Sequence, residues 1–193
     1  MDFVHFEPWI GNDYWDGGCF GKRILILGES HYGNDYGSSL TQDILSEQAY
    51  SDCTRATFTK FERALEGSDT DCDDRERIWN SVAFYNYVQE CLPDARISPT
   101  DEQFEESEDA FFEVLDYLEP DVVLVWGSRL WDSMPSANYE CGDDCEYDGC
   151  SYDSGTYTTP SGVEVTCYEM QHPASFGYSW EWWYGFLASN DIL

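Results

Sequence analysis

The chain has 193 residues, of which 42% are hydrophobic and 17% aromatic, with 39 Asp and Glu against 9 Lys and Arg. This proportion of apolar residues is enough to bury a core, which excludes a wholly disordered chain. The formal net charge of −30 argues against a surface for duplex nucleic acid, because binding to phosphate backbones depends on clustered lysine and arginine side chains.

In the first half of the chain, the clearest prediction is a strand at residues 24–27. Its sequence, Ile-Leu-Ile-Leu, is uninterrupted by polar residues, which is typical of a strand buried on both faces. Residues 1–23 are rich in aromatic residues and glycine, and we expect them to form an irregular lead-in. The other predicted elements of this half are helices at 41–50 and 54–65, a short helix capped by Asp73, and a second strand at 82–85.

In the second half, residues 100–103 (Thr-Asp-Glu-Gln) have the pattern of a capping box and predict a helix that runs to Leu118. Pro120 ends that helix, and the apolar residues after it predict a third strand at 121–126. The remaining predicted elements are a helix at 129–134, an acidic insertion at 139–155, a hairpin around 160–162, a fourth strand at 163–170 and a closing helix at 178–189.

The alternation of helices with strands that are apolar on both faces predicts a single α/β domain over residues 1–193. We expect a three-layer α/β/α sandwich around a central four-stranded, mainly parallel sheet. The longest apolar stretch, residues 122–126, is far shorter than the roughly 20 residues that cross a bilayer, and the first residues lack the features of a signal peptide. We therefore expect a cytoplasmic monomer with no membrane partner.

Three of the eight cysteines, Cys141, Cys145 and Cys150, lie in the acidic insertion at 139–155. Zinc sites usually bring two thiolates together through a close pair such as C-x2-C, and the spacing here is looser. The surrounding carboxylates also disfavour thiolate formation. We therefore predict a flexible acidic insertion and no metal site.

Polar residues directly follow the four predicted strands, and they form the candidate site. In open α/β sheets the ligand crevice lies outside the carboxyl ends of the strands. The strands lead, in chain order, into residues 28–32 (Gly-Glu-Ser-His-Tyr), Asn86, Gly127 and residues 171–176. A parallel sheet brings such ends to one edge, so the sequence predicts a pocket for a small molecule or a nucleobase.

Each of these segments offers groups suited to binding or proton transfer. Glycine at position 28 permits close approach of the backbone to a ligand. The Asn86 carboxamide has an acceptor and two donors in one plane, which suits the edge of a heterocycle. His172 is a candidate donor to developing negative charge, and Arg129 is a candidate ligand for an anion. The alternative is that these side chains only satisfy local backbone groups at strand ends and helix starts.

Taken together, these motifs resemble those of the uracil-DNA glycosylase superfamily. Residues 28–32 are similar to its first motif, a Gly-Gln-Asp-Pro-Tyr type of loop that begins Gly-Glu in other branches. Asn86, which follows a Phe-Tyr pair, resembles the strand-end asparagine that reads the edge of uracil. Residues 172–175 (His-Pro-Ala-Ser) look like its His-Pro-Ser motif, and residues 120–127 are similar to its third core strand and the glycine after it.

The resemblance implies a site for a flipped base, in which the histidine of the second motif stabilises the oxygen of the departing base. The chain departs from the best-known branch, because Ser30 stands at the position of a water-activating Asp and His31 at that of a Pro. Glu29 or His31 would then have to orient water. The predicted catalytic residues are Glu29, Ser30, His31 and His172, and the predicted substrate-binding residues are Gly28, Tyr32, Asn86, Gly127 and Ser175.

No cofactor is predicted. The iron–sulfur branch of the superfamily needs four cysteines, and Cys19 and Cys91 match their positions only loosely, so we expect no cluster. In the second motif Ala174 replaces the usual serine, which affects the loop that grips DNA in the superfamily.

Two classes of function are compatible with this sequence. The first is hydrolysis of the N-glycosidic bond of a damaged or deaminated base, with a nucleobase or base-containing ligand as partner and DNA disfavoured by the net charge. The second is a divergent, non-catalytic member that binds a free base, a nucleotide or a protein partner. A related possibility is an acidic module that mimics DNA.

Overall fold

The computed structural model describes residues 1–52 and 54–193, which form an α/β protein around one mixed sheet. The protein has the strands β1 (Trp9–Ile10), β2 (Ile24–Gly28), β3 (His31–Tyr32), β4 (Val82–Asn86), β5 (Cys91–Leu92), β6 (Val122–Trp126), β7 (Tyr139–Cys141), β8 (Cys145–Tyr147), β9 (Cys150–Tyr152), β10 (Ser154–Thr158) and β11 (Glu164–Met170), of which seven form the main sheet. Its α-helices are α1 (Leu40–Tyr50), α2 (Ala56–Glu66), α3 (Cys72–Ser81), α4 (Asp101–Glu105), α5 (Glu108–Leu118), α6 (Ser128–Ser133) and α7 (Trp180–Ser189).

The main sheet has seven strands in the order β1-β4-β2-β6-β11-β10-β7. The four central strands, β4, β2, β6 and β11, are parallel, and they are the four strands that the apolar runs predict. The sequence predicted no further strand in this sheet except one arm of the hairpin, and the three outer strands, β1, β10 and β7, are antiparallel to their neighbours. Pairing along β4 covers an edge that would otherwise be open to another chain.

Successive residues of the central strands point to opposite faces of the sheet, and both faces are buried. Ile24 and Ile26 belong to one hydrophobic cluster, to which α1, α2, α3 and α7 contribute. Leu25 and Leu27 belong to a second cluster, to which α4, α5 and α6 contribute. Burial on both faces explains why these strands are uniformly apolar rather than alternating.

The acidic insertion at 139–155, which the composition predicted to be flexible, contains four strands or parts of strands. Strand β7 pairs with β10, and β8 and β9 form a hairpin whose turn is Asp148-Gly149, both residues having positive φ. Asp-Gly is the residue pair that favours a two-residue turn of this kind. Tyr147 and Tyr152 pack their rings against Trp182 of α7, which gives the hairpin an apolar anchor.

The lead-in at 1–23 also contains regular structure, since Trp9–Ile10 adds an edge strand. The cap of α3 is Asp71 rather than Asp73, and its carboxylate accepts hydrogen bonds from two backbone N–H groups of the first turn. The helix predicted over residues 101–118 is interrupted after α4. There the Ser107 hydroxyl donates to the Gln103 carbonyl, a local bond that competes with helix continuation.

Candidate functional site

The four parallel strands end at one edge of the sheet, and the polar residues of the candidate site follow them directly. The register places Asn86 opposite Gly28 and Met170 opposite Trp126, so the strands stop at nearly the same level. Neighbouring strands lie about 4.8 Å apart, which brings the four ends within one ligand's reach. Motifs that are far apart in the sequence therefore lie at the same edge of the sheet.

Asn86 is the most informative residue of this edge. The residue is 6% exposed, and its carboxamide makes no hydrogen bond to any residue that the structure describes, yet it is not among the described side chains whose polar atoms are both fully buried and unpaired. The carboxamide lies over Gly28, where an added Cβ would collide with Asn86 Oδ1 and come within 3.0 Å of the Phe84 ring. The Asn86 carboxamide can lie here only because residue 28 is a glycine and has no Cβ. An amide at a strand end that makes no hydrogen bond within the protein and still reaches solvent is available to a ligand.

His172 follows β11 and is held in one tautomer. Its Nδ1 accepts a hydrogen bond from the Ala174 backbone N–H at 3.0 Å, so the proton of the neutral ring is on Nε2. The ring meets the edge of Trp126, with centroids 5.6 Å apart, and a Cβ added at Gly127 would lie 3.4 Å from His172 Cβ. Gly127 also has a φ of +99°, which a residue with a side chain adopts only with strain.

The pKa of His172 is lowered, chiefly because burial penalises the charged ring. The carboxylate of Glu29 opposes this effect, and the guanidinium of Arg129 adds to it. The imidazole is therefore neutral at neutral pH and presents an N–H donor whose position is fixed by the backbone.

Glu29, directly after Gly28, is bound by Arg129, which lies 100 residues further along the chain. Arg129 Nε donates to Glu29 Oε1 at 2.7 Å, Nη2 donates to Oε2, and Nη1 donates to Ser98 Oγ at 2.6 Å. The Glu29 side chain is 15% exposed and that of Arg129 is 56% exposed, so the guanidinium lies outside the carboxylate. The sequence predicted Arg129 as a candidate ligand for an anion. In the structure its guanidinium binds the carboxylate of Glu29.

His31 faces the protein interior. Its Nε2 lies 2.8 Å from the Thr41 hydroxyl of α1, and its ring packs against the edge of Phe6. Burial lowers the pKa of His31 to about 4, so the ring is neutral. Since this nitrogen is occupied by α1, Glu29 is the better placed of the two residues that were predicted to orient water.

The remaining predicted residues differ in their surroundings. Ser30 is half-buried, and its hydroxyl has no hydrogen-bond partner within the described residues. The ring of Tyr32 is largely exposed, on the short strand that pairs with β5. The Ser175 backbone N–H donates to the His172 carbonyl at 2.8 Å and closes the turn after the histidine.

One residue that sequence reasoning missed is Phe176, which is fully exposed on the loop after His172. An apolar ring between Ser175 and Gly177, in a loop bounded by a proline and a glycine, is the signal that could have found it. An exposed aromatic ring beside a candidate base site is suited to stacking on a base.

Two cavities of the described structure are lined by other residues and include neither Asn86 nor His172. One is an open cleft of about 560 Å³ beside the loop at 33–35, and the other is a hollow of about 150 Å³ under α6. Among residues 1–52 and 54–193, no three His, Cys, Asp or Glu side chains are grouped so as to hold a metal ion. Within the same residues, no helix is long and apolar enough to cross a membrane.

The chain matches no known protein-family model, and no curated protein matches it significantly.

Proposed function

We propose that this chain is a uracil-DNA glycosylase-like protein with an α/β/α arrangement of three layers, which binds a nucleobase at the strand ends and hydrolyses its N-glycosidic bond. The observation that carries the proposal is the carboxamide of Asn86 over Gly28, which has no hydrogen-bond partner among the described residues. Further support comes from the order of the four motifs along the chain, from the parallel core of four strands, and from helices in both hydrophobic clusters.

Asn86 and the ring of His172 belong to the same face of the sheet. Asn86 lies two residues after Phe84 along β4, and Phe84 and Trp126 belong to one hydrophobic cluster. His172 packs on Trp126. Gly28 lies on a strand between them, and the space that its missing side chain leaves is occupied by the Asn86 carboxamide. In this proposal a planar ring at the same edge binds the carboxamide on one side and the imidazole N–H on the other.

A lactam-type base fits these groups. Its ring N–H and carbonyl are complementary to the oxygen and the NH₂ of a carboxamide, which is how the edge of a flipped base is read. Uracil, hypoxanthine and xanthine all have such an edge. Phe176 follows His172 and Tyr32 follows Ser30 along the chain, and both rings are exposed, so that a base or its neighbour can stack on them.

Cleavage of the glycosidic bond leaves its electron pair on the base, and the negative charge is delocalised onto a carbonyl oxygen of the base. A neutral imidazole with its proton fixed on Nε2 stabilises such charge by hydrogen bonding, without first giving up a proton. The Glu29 carboxylate is available to accept a hydrogen bond from the water whose oxygen attacks the sugar carbon. The water gives its hydroxyl to C1′ and its remaining proton to the base anion, so the products are the free base and a sugar with a hydroxyl at C1′.

The test is an assay of base release from single-stranded oligonucleotides that contain uracil, hypoxanthine or xanthine. We expect the wild-type protein to produce abasic sites on at least one of them, and Asn86→Ala and His172→Ala each to slow the reaction by at least about 100-fold. His5→Ala, at an exposed histidine, is the control and should retain full activity. Absence of abasic product from all three substrates would contradict hydrolysis.

The charge distribution favours a second candidate, in which the same site binds a base without cleaving it. Seven of the nine basic side chains contact a carboxylate or a backbone carbonyl within the described part of the chain, and they are Lys22, Arg23, Arg55, Arg63, Arg75, Arg77 and Arg129. Few cations therefore remain to offset phosphate charge. Calorimetric titration with the free bases separates the two candidates, because binding without abasic product supports the second.

A further inference from the structure

The ion pair between Glu29 and Arg129 connects the ends of two neighbouring strands, β2 and β6. Arg129 uses all three of its guanidinium nitrogens, two on the carboxylate of Glu29 and one on Ser98. A two-pronged contact of this kind fixes the plane of a carboxylate, because both oxygens are held at once. The third contact fixes the guanidinium to the loop that precedes α4.

We propose that Arg129 is a positioning residue, which holds the Glu29 carboxylate beside His172 in the orientation needed to direct water, and that Ser98 in turn holds Arg129. The proposal rests on the proposed function, since only a hydrolytic reaction needs a directed water.

The pair leaves Glu29 able to accept a hydrogen bond from water. Each carboxylate oxygen has two lone pairs, and Arg129 takes one on each oxygen. The side chain keeps a small exposed fraction, so a water can reach the remaining lone pairs. Arginine is better suited to this role than lysine, because an ammonium group is a point charge that holds a single direction poorly.

The pair also balances the charge near His172. Glu29 raises the pKa of that imidazole and Arg129 lowers it, and they are the only two charged residues that act on it within the described parts of the chain. Removal of one charge leaves the effect of the other on the His172 pKa unopposed. A titration of His172 therefore detects the pair even when no reaction occurs.

The opposite end of the same two strands provides a matched control. Arg23 precedes β2 and Asp121 precedes β6, and Arg23 Nη2 donates to Asp121 Oδ1 at 3.1 Å. Arg23→Gln therefore removes the same charge and breaks a comparable pair between the same strands, at the edge away from the site.

The experiment compares the wild type with Arg129→Gln, Arg129→Lys and Arg23→Gln by NMR titration of His172 and by the rate of base release. We expect Arg129→Gln to move the His172 midpoint to higher pH, and to lower kcat by about 10- to 100-fold with little change in KM. Arg129→Lys should keep the midpoint near that of the wild type and recover part of kcat. Arg23→Gln should change neither.

An unchanged kcat in Arg129→Gln would overturn the proposal, because it would show that Glu29 directs water without Arg129. A moved midpoint with full kcat would overturn the positioning role. If the wild type releases no base, the proposed function fails, and the titration alone then decides whether the pair exists as described. A fully active, fully folded Arg129→Lys with kcat equal to the wild type would contradict the need for the two-pronged contact.

Discussion

His31 and His172 each follow a strand, yet their hydrogen bonds give them different roles. His31 contacts the Thr41 hydroxyl in the interior, whereas His172 accepts from a backbone N–H and keeps its other nitrogen free of any described partner. The sequence predicted both as catalytic residues, since an isolated histidine after a strand looks the same in either situation. Only the packing of α1 against the first motif distinguishes them.

The burial of His31 makes the protein's stability depend on pH. Its pKa is 6.5 in the unfolded chain and about 4 in the folded protein. Between these values the unfolded chain binds a proton that the folded protein does not, so the free energy of unfolding falls as the pH falls from about 6.5 to about 4. The contribution is complete above pH 6.5 and amounts to at most about 3 kcal/mol.

The measurement is urea unfolding of the wild type and of His31→Gln across that range of pH. Glutamine can still donate to Thr41 but does not titrate, so we expect the loss of stability towards acid pH to be smaller in the variant. His5→Gln, at the exposed histidine, should follow the wild type. An equal acid dependence in His31→Gln and the wild type would contradict the buried, neutral His31.

A second prediction concerns Asn86, whose carboxamide stabilises the fold through no hydrogen bond to a described residue. We expect Asn86→Leu to abolish base binding while it leaves the free energy of unfolding unchanged or raises it by about 1 kcal/mol, because leucine has a similar shape and needs no hydrogen bond. Urea unfolding and calorimetric titration with uracil measure the two effects.

Asn80 offers the matched control for this substitution. It is also buried, but its Oδ1 accepts hydrogen bonds from Asn12 Nδ2 at 2.9 Å and from the Tyr50 hydroxyl at 2.8 Å. Asn80→Leu removes those hydrogen bonds, whose donors lie on exposed residues, and should destabilise the fold by about 1 kcal/mol without affecting the base. A similar loss of stability in Asn86→Leu would show that the Asn86 carboxamide has a structural partner.

At the scale of elements, the shape of the site depends on the contact between the ends of β2 and β4, where Gly28 lies opposite Asn86. Gly28→Ala places a methyl group against Asn86 Oδ1 and the Phe84 ring, so we expect base affinity to fall by at least about tenfold, with a destabilisation of about 1 to 3 kcal/mol. Removal of the Asn86 side chain should relieve the conflict. The double variant Gly28→Ala, Asn86→Ala should therefore be less destabilised than the sum of the two single variants, as measured by a double-mutant cycle in urea.

The central elements were predictable because their sequence patterns are local. The apolar run at 24–27 and the capping box at Thr100 depend on residues next to each other, and the structure places a strand and a helix there. The pair of Glu29 and Arg129 was not predictable, since it depends on the register of β2 beside β6. The hairpin at 145–152 was not predicted, because its acidic composition is typical of a loop. Its Asp-Gly pair is the local signal that indicates a hairpin turn.

At the scale of the whole molecule, the net charge of −30 acts on both stability and binding. Repulsion between like charges destabilises the compact state, and salt screens it. We expect the melting temperature to rise between about 0.01 M and 1 M NaCl, over which the Debye length falls from about 30 Å to 3 Å. Differential scanning calorimetry measures this, and a flat or falling melting temperature would indicate that the acidic side chains are already compensated locally.

The same repulsion predicts an unusual salt dependence for any oligonucleotide substrate. A protein that binds phosphates through cations loses affinity as salt rises. Here most basic side chains are already paired, so the affinity for a uracil-containing single strand should rise or stay constant with salt, as measured by fluorescence anisotropy. A steep fall would reveal a basic strip that contacts the backbone.

The central claim is that Asn86 and His172 bind a nucleobase together, and NMR with labelled side chains tests it most directly. On titration with uracil, hypoxanthine or xanthine, we expect the Asn86 NH₂ signals and the His172 Nε2 signal to shift together and to saturate, while the His5 signals stay in place. In Asn86→Leu protein the shift at His172 should disappear. The absence of any saturable shift at these two side chains with all three bases would contradict the account.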